Sequence, residues 1–161
     1  ARDVGAEEVK VRPNGLQLEA GVPREKTVEQ IASALRECGE FAKDYDIEIR
    51  VEVHGRGTSD PKCMREIMDS CNHDNVFVCW NSNDTDVENG SVAANFKLLQ
   101  RWIRQVHMRD LFIETYPWRE LMGLLRESGF DGFCLAEIPG SPDPVRVLRY
   151  YRALWKELLR P

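Results

Sequence analysis

Residues Ile47 to Gly57 read I-E-I-R-V-E-V-H-G-R-G, and this stretch decides the fold. Ile47, Ile49, Val51 and Val53 alternate strictly with Glu48, Arg50, Glu52 and His54. A period of two sends the two sets to opposite faces of a β-strand. His54-Gly55-Arg56-Gly57 then forms a permissive turn, and Thr58-Ser59-Asp60-Pro61 leads into an amphipathic helical run. An edge strand with a solvated charged face gives the same alternation. A strand that feeds a helix belongs instead to a βα unit, where both faces are usually covered. Glu48, Arg50 and Glu52 then point into an enclosed space, where charges must be paired or bind a metal.

The strand–helix alternation extends in both directions. Upstream, Val9-Lys10-Val11-Arg12 is a short strand closed by Pro13-Asn14-Gly15, with Lys10 and Arg12 on one face. Thr27 reads as an N-cap, with Gln30 completing a capping box, for a helix that carries Val28, Ile31, Leu35, Cys38 and Ala42 on one side. Downstream, Met64, Ile67 and Met68 mark a helix that ends near Cys71-Asn72. Val76 to Trp80 is continuously apolar, as in a strand buried on both faces. The loop Asn81-Ser82-Asn83-Asp84-Thr85-Asp86 follows, then a helix over Ser91 to Leu99 and a strand over Ile103 to Arg109. Pro117 opens a helix that Gly129 closes, Phe133 to Ile138 is a strand, and Pro142-Asp143-Pro144 precedes a terminal amphipathic helix. Five such βα units with no linker define one α/β domain built on a parallel sheet. An open doubly wound sheet and a closed (β/α)₈ barrel both satisfy that pattern, and no glycine-rich phosphate loop follows any strand to favour a nucleotide-binding open sheet.

Composition narrows the function. The formal net charge of -5 gives no basic footprint for nucleic acid, and no apolar run approaches the length of a membrane span. The odd total of five cysteines, without a C-x-x-C pair, argues against a disulfide framework and a structural zinc site. A reducing, cytoplasmic setting is the simplest expectation. The chain opens on Ala1-Arg2-Asp3 without an initiator Met and reads as the end of a helix begun upstream, so a targeting signal would lie outside it.

Polar residues at the strand ends carry the chemistry. Glu52, Asn81, His107 and Glu137 close four successive strands at intervals of roughly 25 to 30 residues, close to the roughly 31 per unit of an eight-unit barrel. Barrel active sites form at that end. Two carboxylates, an amide and an imidazole meeting there can bind a divalent metal and leave positions for substrate. Each also has a plainer reading. Glu52 and Glu137 can be structural carboxylates paired with Arg50, Arg12 or Arg109, and His107 can be a satisfied core histidine. Trp80 and Trp118 read as core rather than as sugar platforms, and His73 reads as surface on the opposite face.

The segments V-E-V-H-G (Val51 to Gly55), V-C-W-N-S-N-D (Val78 to Asp84), V-H-M-R-D (Val106 to Asp110) and L-A-E-I (Leu135 to Ile138) resemble the last four strands of the sugar phosphate isomerase/epimerase family, the xylose-isomerase-like TIM barrels. The resemblance spans nearly the whole chain and implies about the last five of eight βα units, a partial barrel. It implies one divalent metal, Mn, Mg, Co or Zn, with Glu52, His107 and Glu137 as ligands and Asn81 where the family carries Asp. Asp84 would restore the lost charge if its loop turns inward. The implied substrate is a sugar or polyol, touched by His54, Arg109, Arg12 and Asp84. The implied chemistry is proton transfer next to a carbonyl through an enediolate, with Glu52 and Glu137 as the acid/base pair. A non-catalytic or incomplete barrel is the alternative from another class. An apurinic-site endonuclease would need more than the three histidines present. Unpaired edges at Val9–Arg12 and Phe133–Ile138 imply self-association.

Overall fold

The computed structural model describes residues 1–160. Five strands, β1 (Glu8–Val11), β2 (Glu48–Glu52), β3 (Val76–Asn81), β4 (Ile103–Met108) and β5 (Phe133–Ala136), form one sheet in the order β1-β2-β3-β4-β5. Every neighbouring pair is parallel. Five helices follow the strands in turn: α1 (Arg24–Lys43), α2 (Pro61–Cys71), α3 (Ala93–Leu99), α4 (Trp118–Glu127) and α5 (Pro144–Leu158). A doubly wound sheet reverses its strand order part-way along. Here the order never reverses, so right-handed crossovers put all the helices on one face, where each packs on the next from α1 to α5. The architecture is the wall of a partial (β/α) barrel, as the strand-end pattern predicts.

Register explains the alternation in Ile47 to Gly57. Lys10 aligns with Arg50, Arg50 with Phe77, Glu52 with Cys79, and Asn81 with His107. These residues share the concave face. Val51, Val53, Val78, Trp80, Val106 and Met108 point the other way and are fully buried beneath the helices. The charged face of β2 is closed over rather than solvated. Arg50 pairs with Glu8 and with Glu48, and Glu52 is buried. Trp80 and Trp118 are core residues, as predicted.

Two expectations need correction away from the site. Thr27 does not cap α1. The helix begins a turn earlier, with Pro23 at the N-cap, and the Thr27 amide already donates to the Pro23 carbonyl. The fixed φ of Pro23 near −56° suits a helix entrance, and Thr27 instead packs against the core. His73 is not free surface. Its Nδ1 accepts from the Asn75 amide at 3.1 Å and its Nε2 lies 3.0 Å from Glu40 Oε2, which ties the α2–β3 turn to α1. No helix among the described residues is long and apolar enough to cross a membrane. β1 and β5 are each paired on one side only, and Val9, Phe133 and Leu135 are exposed there.

Candidate metal centre

The strand order and register bring the carboxyl ends of β2, β3, β4 and β5 round one concave surface. Glu52 is the last residue of β2, Asn81 of β3, and His107 the penultimate residue of β4. Glu137 lies one residue beyond β5, but its amide still donates to the Met108 carbonyl at 2.8 Å, so the pairing carries it to the same level. One ligand atom from each of Glu52, His107 and Glu137 lies within 4.8 Å of the other two. His107 Nδ1 is 3.6 Å from both Glu52 Oε1 and Glu137 Oε2. That nitrogen is buried and makes no hydrogen bond. An orphaned buried imidazole nitrogen between two carboxylates is costly unless something fills the space. The donor set of one imidazole and two carboxylates fits Mn, Mg, Co or Zn.

The four residues predicted as ligands meet differently. Asn81 is in the cluster, but it turns its amide nitrogen to Glu52 Oε1 at 3.2 Å and so acts as a donor that steadies the carboxylate. Only a half-turn of the amide would offer its oxygen instead. Glu52 has a partner that sequence spacing did not reveal. Lys10 Nζ lies 2.5 Å from its Oε2, while the Glu52 side chain is only 1% exposed. Burial pushes the Glu52 carboxyl up, but the facing imidazole of His107 and the ammonium of Lys10 outweigh it and hold the group at about 2. Glu52 is therefore ionised across the ordinary pH range. Glu137 is the open member of the set, more than half exposed. The pairings of these glutamates with Arg50, Arg12 or Arg109 are not found.

The residues predicted to meet substrate divide. His54 Nδ1 lies 3.7 Å from Glu52 Oε1, and Arg12 Nη1 lies 3.5 Å from His54 Nε2, which forms a short polar line out to solvent. Arg109 and Asp84 bond to each other, Nη2 to Oδ1 at 2.5 Å. Asp84 does not turn inward to restore the charge missing at Asn81, because its side chain is exposed and held outward by Arg109. The acid that turns inward is Asp86, fully buried and not singled out by sequence. Its Oδ2 accepts from the Asn83 amide at 2.9 Å and from the Tyr116 hydroxyl at 2.9 Å, and Trp80 Nε1 donates to that hydroxyl at 3.0 Å. This chain of bonds fastens the β3–α3 loop to the β4–α4 loop behind the centre. A groove of about 530 Å³ lies elsewhere, beside α1 and the lower part of β1, and its Phe41, Tyr45 and Ile49 lining is apolar.

Comparison with known proteins agrees with this fold. The family model for the xylose isomerase-like TIM barrel matches residues 1–158, and the chain belongs to that family. No curated protein matches. Among solved structures, the chain is similar to a 3-keto-D-glucoside 4-epimerase from E. coli, at 15% identity and a TM-score of 0.79, over 97% of this chain and 66% of that one. It is also similar to a D-tagatose 3-epimerase-like protein, at 22% identity and a TM-score of 0.75, over 99% of this chain and 67% of that one. A xylose isomerase-like TIM barrel protein from Mycobacterium smegmatis, solved in complex with magnesium, shares 16% identity at a TM-score of 0.67, over 99% of this chain and 64% of that one. The chain thus spans about two thirds of the length of these three structures.

Proposed function

We propose that this chain contributes the metal-binding part of a divalent-metal-dependent isomerase or epimerase acting on a sugar or polyol. The observation that carries this reading is the buried, unpartnered His107 Nδ1, set 3.6 Å from a carboxylate oxygen on either side. Glu52, His107 and Glu137 would hold the cation, with Asn81 beside them. A divalent cation held there would supply Lewis-acid polarisation of a substrate carbonyl, which acidifies the proton on the neighbouring carbon. Glu137, exposed and bound to no cation of the protein among the described residues, takes or returns that proton on the β5 side. Glu52 faces it from the β2 side as an ionised carboxylate. His54 and Arg12 reach outward along β2 and β1 to orient substrate hydroxyls, and Arg109 closes the β4 side. The epimerases among the similar structures support the substrate class.

Solvent deuterium incorporation tests the reading. The complete barrel that contains this chain, supplied with Mn²⁺ in D₂O, is expected to exchange the proton next to the carbonyl of a ketohexose, to stop on chelation and to resume on Mn²⁺ addition. Exchange that ignores chelation, or none with any ketose, would overturn it. A second reading, a barrel that has lost its chemistry, is favoured by the neutral Asn81 and by the ammonium on Glu52. Failure to bind any divalent metal would select it.

A further inference from the structure

We propose that Lys10 is a positioning residue for the centre, one that reserves one oxygen of Glu52 and presents the other. This inference rests on the metal-dependent reading above. Lys10 sits on β1 in register with Arg50, so its side chain enters the concave face one step below Glu52. Its ammonium meets Glu52 Oε2 at 2.5 Å. Every other donor near that carboxylate faces the second oxygen: Asn81 Nδ2 is 3.2 Å, His107 Nδ1 3.6 Å and His54 Nδ1 3.7 Å from Oε1. The two oxygens of one buried carboxylate thus have separate environments. Oε2 belongs to a cation of the protein, and Oε1 belongs to the side chains of the centre.

Charge accounting gives this division a consequence. Glu52 and Glu137 bring two negative charges, Lys10 returns one positive charge, and Asn81 brings none. The Glu52–Lys10 pair is therefore neutral, and Glu137 alone leaves the centre a net negative charge. Lys10 confines Glu52 to binding through a single oxygen and lowers the attraction for a cation. Its role is to trade affinity for a fixed ligand orientation, in which Glu52 cannot swing to grip the metal with both oxygens.

Co²⁺ is the probe, because its visible absorption reports coordination number as well as occupancy. In Lys10→Met, Glu52 is free to offer both oxygens to a less repelled cation. Co²⁺ affinity is expected to rise by roughly ten-fold or more, and the absorption band to change intensity and position. Lys10→Arg keeps the charge on Oε2 and is expected to retain the wild-type affinity and spectrum. Circular dichroism of both variants verifies that they fold. A wild-type Co²⁺ spectrum and affinity in Lys10→Met would overturn the proposal and leave the metal reading standing, as would weaker binding in both variants. Absence of Co²⁺ binding in the wild-type protein would overturn the metal reading itself, and this proposal with it.

Discussion

The Tyr116 hydroxyl donates to Asp86 Oδ2 at 2.9 Å, with both side chains removed from solvent. Burial drives the Asp86 carboxyl up to about 8, against the hydrogen bonds from Tyr116 and Asn83 that favour the ionised form. The folded chain therefore keeps this proton up to about pH 8, whereas the unfolded chain releases it near 3.8. Between those values the folded state binds more protons, so stability falls as pH rises, by at most about 1.4 kcal/mol per pH unit from this group. Asp86→Asn cannot titrate and is expected to flatten that decline between about pH 4 and pH 8, measured by urea denaturation at several pH values. An unchanged slope would mean that Asp86 is ionised in the folded protein across this range.

Asn81 is the second site of prediction. Replacing its neutral amide by a carboxylate, in Asn81→Asp, adds a formal negative charge 3.2 Å from Glu52 Oε1, where Asn81 now donates. Mn²⁺ affinity is expected to rise by about ten-fold or more, because a hard cation gains an anionic oxygen. Without metal the same variant is expected to be less stable, since two carboxylates then crowd one another. Titration calorimetry and thermal melting with and without Mn²⁺ check the two halves together.

The open strand edges give a third. β1 and β5 present unpaired backbone groups, and Phe133 is 67% exposed next to Leu135 on the β5 edge. Exposed apolar edges pair with other chains. The 161-residue polypeptide is expected to self-associate in size-exclusion chromatography with light scattering, and Phe133→Lys is expected to reduce that association. A monomer with cooperative unfolding would contradict this.

Much of this was legible in the residues, for physical reasons that also set the limit. The alternation in Ile47 to Gly57 forces a strand with a charged face, and strand ends recurring once per βα unit must meet on one rim, which is why the sequence alone groups Glu52, Asn81, His107 and Glu137. The Lys10–Glu52 pair spans 42 residues, and it exists because of the β1–β2 register, which no local pattern encodes. The only trace was that Lys10 and Arg12 share a face. Asp86 was hidden for another reason. Asn81 to Asp86 is uniformly polar, and only the 3-10 turn Asp84–Asp86, with the Asn83 amide bonded to the Asp86 carboxylate, decides which acid turns in and which stays out. Thr27 misled because a Thr followed by Gln three places on is a capping signal wherever it falls, while the proline at position 23 sets the real entrance.

The central claim is that Glu52, His107 and Glu137 form one metal centre, and calorimetric titration of Mn²⁺ into the wild-type protein and His107→Ala tests it most directly. One site per chain is expected in the wild type, with affinity reduced by at least about a hundred-fold in His107→Ala, more than the loss of an outer-shell partner usually costs. No heat of binding in the wild type, or the same affinity in His107→Ala, would contradict it.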